Sequence, residues 1–424
     1  MAAVTDPPQL VLGRLGALLL DTGASVVDVR TALERVAAAT GVGGLAIGVL
    51  PQMVLVNDVD TGRSTAVNAA EQELTLHQAA QANRLVGSLE DGRVGLEAVG
   101  EEIATIRAYV RRHARSQWVA GNLVVAGALA ALLRCPWWAV VAAACVGGMV
   151  GVLTAWAGSR RGAAAIAPFV TALVATSVVG ALASALDLGA VPLFAVCAPV
   201  AILVPGALIT NALLELTAGD VITGSARLAY GLVVLGFMSA GIAAGAALTG
   251  LRLDRGSAAL VGDARDVTST ATGWGSLPPV GLSWVAVVLL AVGLGLAFGS
   301  GIRLTLLTVV VMSSTYAMLT VATPAVGGVL ATGITAGVLF IVGRLVEQRT
   351  RLVPAAVLFL PAFLLLVPGT VGLVALSTLE GAAIGDALRT FASLCIGTHA
   401  GALLADLLGP LVRGRGEPIG PGVS

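Results

Sequence analysis

The chain contains no lysine. All 24 basic residues are arginine, and 24 acids bring the formal charge to zero. No basic surplus remains to form the electrostatic footprint of a nucleic-acid binder. Charged residues are scarce, at 11% against about 25% in soluble domains, and aromatics reach only 4%. The four cysteines, Cys135, Cys145, Cys197 and Cys395, sit in apolar stretches with neither C-x-x-C nor Cys/His spacing. That pattern argues against a disulfide framework or a zinc site and suits small apolar packing residues. No Walker A motif occurs, which disfavours direct ATP drive. What is plentiful is apolar surface: 57% of residues are hydrophobic and the mean hydropathy is +0.94, the profile of a membrane protein.

The apolar opening "LVLGRLGALLL" is interrupted by Arg14 and followed by no A-x-A site, so a retained, cytoplasmic N-terminus is expected rather than a cleaved signal. Residues 1–116 hold 10 Arg against 13 Asp and Glu and no run long enough to cross a bilayer. They read as a small cytoplasmic α+β domain. Ser25 and Asp28 have capping-box spacing, followed by Val26, Val29, Leu33 and Val36 at helical steps. "LAIGVLPQMVLVNDVDTGRSTAV" supplies short β-rich runs broken at Pro51 and Asp60 to Gly62, which predicts two or three antiparallel strands. A helix is expected from about Glu71 to Leu89, and another over Leu96, Val99, Ile103, Ile106 and Val110. Asp21, Asp58, Asp60 and His77 could be imagined as an acid/base set, but their spacing matches no nucleophile elbow, phosphate loop or metal motif. Caps and turns are the simpler reading. His113, within "RRHAR", reads as part of a basic collar beside the membrane.

Beyond Trp118, ten apolar spans are expected at about 117–133, 136–157, 165–186, 190–212, 225–249, 279–299, 304–322, 324–343, 353–376 and 384–409. The predicted fold is thus an all-α polytopic membrane domain behind the α+β domain. Five spans make repeat 1 (117–250), a Gly/Ser/Thr-rich solvated linker occupies 251–278, five more spans make repeat 2 (279–409), and 410–424 form a cytoplasmic tail. With both termini inside, Arg160, Arg161, Arg303, Arg344, Arg349, Arg351, Arg413 and Arg415 are cytoplasmic. Only Arg134 and the linker arginines Arg252, Arg255 and Arg265 fall outside, so the positive-inside rule holds for a multi-pass protein of the inner membrane.

Within the fourth span, "LVPGALITNALLELTAG" and the following "DVITGSAR" carry more polarity than a membrane span tolerates without reason. "LLVPGTVGLVALSTLEGAAIGDALR" is their counterpart, with Pro368 lying 163 positions after Pro205 and Arg389 lying 162 after Arg227. A five-span unit crosses an odd number of times, so its second copy starts on the opposite side, and the halves form an inverted repeat of the kind transporters use. Pro205-Gly206 and Pro368-Gly369 are expected to break their helices beside a water-lined cavity. Thr210 and Asn211 offer hydroxyl and amide groups to a zwitterion. Glu215, Asp220, Glu380 and Asp386 are candidates for a proton or an ammonium group, and Arg227 and Arg389 for a carboxylate. The alternative is two interfacial clusters at span ends, Glu215 with Asp220 and Arg227, and Glu380 with Asp386 and Arg389. His399, inside the last span, is either a proton relay or a neutral histidine hydrogen-bonded to a neighbouring helix. Small-x-x-x-small pairs such as Gly147/Gly151, Gly241/Gly245, Gly295/Gly299 and Gly333/Gly337 imply close helix crossings.

"LLLDTGASVVDVRTALERVAAATGV", "NRLVGSLEDG" and "VPGALITNALLELTAGDVITGSARL" together resemble the threonine/serine exporter (ThrE) family over about Leu10 to Leu408. Its strongest motif falls on Pro205-Gly206, Thr210-Asn211, Gly219-Asp220, Gly224 and Arg227, with Glu215 where Asp is expected. The resemblance implies proton-driven efflux of small hydroxy amino acids by a non-enzymatic secondary transporter. Its partners would be an amino-acid substrate, protons and the bilayer, with no cofactor, no metal and no nucleic acid, and a homo-oligomer is left open. Related systems look like exporters of dicarboxylates such as succinate. A sensor or enzyme anchored by the spans is the other class to weigh, although ten spans with mirrored breaks exceed what anchorage requires.

Overall fold

The computed structural model describes residues 6–70, 74–158, 166–254, 261–350, 361–362, 364–366, 373 and 381–412, which leaves Pro368, Gly369 and Glu380 outside the described residues. Buried apolar side chains gather in two large cores, one running from Val11 to Ile106 and the other from Val125 to Leu394.

The first core is built by α1 (Pro8–Asp21), α2 (Val26–Ala39), β1 (Leu45–Leu50), β2 (Met53–Asp58), β3 (Ser64–Asn68), α3 (Leu76–Glu90) and α4 (Val99–Ala108). The strands form one antiparallel sheet in sequential order, with Val49 opposite Val54 and Val54 opposite Val67. Alternation along β2 sends Val54 and Val56 into the core, as a half-buried strand requires. α1 lies close on that face because Gly13 and Gly16 carry no side chain. A Cβ at Gly13 would stand 2.7 Å from a Val67 methyl, and one at Gly16 would stand 2.9 Å from a Val54 methyl.

The caps are those the sequence announces. The Ser25 hydroxyl accepts the Asp28 amide at 3.1 Å and donates to the Asp28 carboxylate at 2.8 Å. Thr75 and Gln78 make a reciprocal capping box, which starts α3 at Leu76 rather than near Glu71. α4 stops at Ala108, and Tyr109 leaves in an extended conformation. Val110, which continues the apolar register in sequence, is therefore 87% exposed; the chain instead carries Arg111 to the end of a bundle helix described below. Asp21, Asp58, Asp60 and His77 do not converge. Asp21 is 2% exposed and accepts Arg107 at 2.6 Å and the Ala70 amide at 3.0 Å. Asp58 closes a turn by accepting the Thr61 and Asp60 amides, both at 3.0 Å, and the Thr61 backbone N–H holds its carboxyl below the usual range. Asp60 lies beside Gly44, and His77 stacks against Tyr109.

The second core contains α5 (Ala114–Leu132), α6 (Trp137–Ala157), α7 (Ala167–Ala185), β4 (Val191–Pro192) and α8 (Leu193–Cys197). It continues with α9 (Gly206–Thr217), α10 (Val221–Thr249), β5 (Leu253–Asp254), α11 (Leu282–Phe298), α12 (Ile302–Val326), α13 (Gly328–Thr350) and α14 (Gly381–Val412). Among the described residues five helices are long and apolar enough to cross a membrane, namely α6, α7, α10, α12 and the Gly328–Leu345 part of α13. The bent segment from Leu193 to Thr217 makes a sixth, and α11 is apolar but shorter. The chain is a multi-pass membrane protein.

Close glycine contacts fix how these helices run. Gly121 of α5 meets Ala297 of α11, and Gly293 meets Val125, so these neighbours are antiparallel. Gly241 and Gly245 of α10 approach the Phe169 and Leu173 carbonyls of α7, a parallel pair. Gly333 and Gly337 of α13 approach Ser393 and Gly397 of α14, again parallel. Small residues let the backbones come this near.

The segment after α10 is exposed over most of 266–274 but is anchored at its start. β5 pairs in parallel with β4, and Val261 and Ala264 are each 2% exposed within the bundle core. Gly262 packs on Thr323 of α12, and the Ser276 carbonyl accepts the Trp137 amide at 3.2 Å. Val261 and Ala264 are three residues apart, a spacing that puts both on one side of a tight turn, so two small apolar residues suffice to anchor a polar segment. Burial, with Asp266 alongside, pushes the Asp263 carboxyl above its ordinary value.

Two measurements check these assignments. Asp21→Ala leaves Arg107 without its carboxylate and should destabilise the N-terminal unit by about 3 kcal/mol, seen as earlier proteolysis of that unit in the full chain on heating. Asp263 holds its proton more tightly when folded, so its ionisation opposes packing as pH rises through that raised value. Asp263→Asn should raise the melting temperature at neutral pH and leave it unchanged in acid.

Candidate functional site at the broken span

The break in the fourth span follows from three consecutive residues. A residue before proline avoids helical geometry, and Val204 is extended with ψ of 124°. Pro205 has no N–H to continue the ladder, and Gly206 begins α9. The tight turn Ala198–Leu203 that continues α8 and the helix α9 consequently meet at 69°. One turn further on, Thr210 is fully buried and its hydroxyl donates to the Gly206 carbonyl at 2.9 Å.

α9 ends at Thr217, and the chain reverses at Gly219, whose φ of +88° is one that residues with a side chain rarely adopt. Gly224 then lets α10 close on α9, since a Cβ there would stand 2.8 Å from the Ala212 carbonyl oxygen. This hairpin brings Arg227 back beside Glu215. Glu215 is 0% exposed, and its Oε1 accepts both Arg227 Nη1 at 2.7 Å and the Val26 amide at 3.0 Å. Val26 is the first residue of α2, so the carboxylate sits at the electropositive end of a helix belonging to the N-terminal unit. Oε2 accepts no hydrogen bond among the described residues.

Every other charged or amide group of the motif also reaches that unit. Asn211 donates to the Gly23 carbonyl at 3.1 Å, Arg227 Nη2 to the Ala24 carbonyl at 3.3 Å, and Asp220 pairs with Arg30 at 2.5 Å. The structure brings Asn211, Glu215, Asp220 and Arg227 together against the turn between α1 and α2.

The N-terminal unit makes a second contact at the junction of α11 and α12. The His77 amide donates to the Gly299 carbonyl at 3.3 Å, and Leu76 and Ala79 pack on Phe298 and Leu304. Arg111 donates to the Leu296 carbonyl, to the Ala297 carbonyl at 2.9 Å and to the Gln117 side chain at 2.6 Å. It thus satisfies bare carbonyls at the end of α11 with a fork that lysine lacks. Gly23, Ala24, Val26, Arg30 and Arg111 are the site residues that sequence reasoning missed. Only the charges of Arg30 and Arg111 gave a signal, and both fitted exposed faces equally well.

In the second half, Asp386 and Arg389 pair with each other at 3.0 Å across one turn and are both exposed. Their expected companions Pro368, Gly369 and Glu380 lie outside the described residues. His399 does reach the first half. Its Nε2 lies 2.9 Å from the Thr217 hydroxyl at the end of α9, and its Nδ1 lies 3.1 Å from the Cys395 carbonyl oxygen. Among the described residues no group of His, Cys, Asp or Glu could hold a metal ion.

A family profile described as "Putative threonine/serine exporter", ThrE, matches residues 10–249. The chain belongs to the ThrE family. No curated protein and no solved structure matches it. The ThrE match runs from α1 to the end of α10 and so includes both sides of the Glu215 contact, while α11 to α14 lie beyond it.

The Arg30–Asp220 pair can be tested by charge exchange. Arg30→Glu or Asp220→Arg alone should weaken attachment of the N-terminal unit, and the double variant should recover about 1 kcal/mol of coupling in a double-mutant cycle, read from protection of residues 24–30 against hydrogen exchange.

Proposed function

We propose that this ThrE-family chain is a secondary exporter of small hydroxy amino acids, threonine and serine, driven by protons through alternating access. The observation that carries this reading is the 69° break at Pro205 inside an otherwise apolar span. Interrupted spans supply main-chain groups and half-helix ends to polar solutes at membrane depth. Non-enzymatic transport suits a bundle of this kind, and the N-terminal unit is then an accessory cytoplasmic domain of about residues 1–116.

The full architecture in this proposal is ten spans in two inverted five-span repeats, 117–250 and 279–409, joined by 251–278 and followed by a tail at 410–424. Two packing relations support it. The first helices of the two halves, α5 and α11, are antiparallel neighbours, and the helices at the expected third and fifth spans of each half pair in parallel through glycines, α7 with α10 and α13 with α14. Both relations are expected when five-span units are inverted. Arginine placement then puts both termini on the cytoplasmic side of the inner membrane.

In the state open to the N-terminal unit, Thr210 and Asn211 would meet the zwitterion beside Pro205 and Gly206. Arg227 and Arg389 would meet its carboxylate, Glu215, Asp220, Glu380 and Asp386 its ammonium group or the coupling proton, and His399 would relay that proton. Pro368 and Gly369 would interrupt the ninth span as Pro205 and Gly206 interrupt the fourth.

A proteoliposome panel of threonine, serine and succinate under an imposed pH gradient tests the proposal. Threonine and serine flux should exceed succinate flux. Asn211→Ala should lower threonine flux by about tenfold, the equivalent of one well-made hydrogen bond, and Asp220→Asn and Pro205→Ala should lower it too. Unchanged flux in all three variants would remove the site, and succinate as the preferred solute would replace the substrate class.

A further inference from the structure

Glu215 is an unusual carboxylate. Its side chain is completely buried, both of its hydrogen bonds fall on Oε1, and Oε2 has no partner among the described residues. Two further carboxylates act on it electrostatically, Asp28 of α2 and Asp220 at the start of α10. The cations facing this group are Arg227 on α10 and Arg30 on α2, the latter already engaged by Asp220. On the remaining side, α14 approaches α9 through His399, which bonds to Thr217 two residues further along the helix. Arg227 pairs with Glu215 and Arg30 with Asp220, while the Asp28 carboxylate is bonded by the Ser25 hydroxyl, so three carboxylates stand near two guanidiniums and the bare buried oxygen is where a proton would be neutralising. A buried ionised carboxylate is tolerated only while its charge is matched.

We infer that Glu215 Oε2 is a proton-binding site and that its protonation unlatches the N-terminal unit from the broken span. The bonds from Arg227 and from the amide end of α2 are charge-assisted. A proton on Oε2 removes the charge that holds them, while Arg227 keeps its own, so the α1–α2 turn loses its anchor. The N-terminal unit also grips the α11–α12 junction through Arg111 and His77. The latched unit therefore ties the first half of the bundle to the second, and release at Glu215 frees them to move. This rests on the export reading for its purpose. A proton arriving on Glu215 opens the face covered by the N-terminal unit, and loss of that proton as an amino acid enters closes it again, one proton exchanged for one movement of the latch.

Hydrogen exchange on the full chain in lipid nanodiscs, corrected for the intrinsic pH dependence of exchange, reads the latch without requiring transport. Protection over residues 24–30 and 211–217 should fall about tenfold between mildly alkaline and mildly acidic pH, with no change over β1 to β3. Glu215→Gln, which mimics the protonated form, should show the low protection at both pH values. Asp28→Asn, which removes a neighbouring negative charge and keeps the latch residues, should move the transition to lower pH. Wild-type protection that does not respond to pH, or a Glu215→Gln variant that keeps the wild-type response, would overturn the inference. Threonine counterflow by the parent protein in proteoliposomes is the separate measurement for the export reading. Its absence alongside an intact pH-dependent latch would overturn export alone.

Discussion

A fully buried carboxylate organises this molecule. Glu215 lies in the half-helix that follows a proline break, and it is held by one guanidinium from its own hairpin and one amide from the N-terminal unit. Removing either partner from such a group leaves charge in a medium that solvates it poorly, so the local backbone has to keep all three in register. Pro205 aims α9, Gly219 reverses the chain, and Gly224 lets α10 approach until Arg227 reaches back. Motif residues that look like substrate ligands are therefore also the frame that positions a single charge.

Much of the architecture was legible because it rests on local chemistry. The Ser25 cap, the alternation of β2 and the break before Pro205 each follow from one or two residues whose backbone preferences leave little choice. The contacts of the site were harder to read. An acid and an arginine inside an apolar span carry the same signal whether they face a solute or another part of the chain, and only the fold places the Gly23–Val26 turn against them. Val110 misled because hydrophobic periodicity continues past the point where Arg111 pulls the chain toward α11. Composition likewise hid how the linker is held: most of 266–274 is exposed, as a polar segment should be, while Val261 and Ala264 seat its start.

These contacts treat the two faces of the bundle differently. The N-terminal unit touches α9 and α10 at one point and α11 and α12 at another, bridging both halves through polar groups and a small apolar patch. The segment after α10 reaches the far end of α12 at Thr323 and the start of α6 at Trp137, using two small buried side chains and main-chain bonds. The first set of contacts is held by paired charges, whereas in the second Asp263 is a carboxyl whose ionisation opposes packing, so protonation acts on the two sides through different groups.

The glycine contacts between α13 and α14 have a mechanical consequence. Helices that interlock large side chains into grooves must repack each knob before they can shift. Gly337, Gly397 and Gly401 instead set main chain against main chain, while Gly241 and Gly245 of α10 lie against α7 main chain and the small side chains of Ala172 and Thr176. Such seams work as smooth rails: axial gliding meets little corrugation, while the short interaxial spacing resists prying apart. Between α13 and α14 the close approach of main chains thus favours axial gliding over separation.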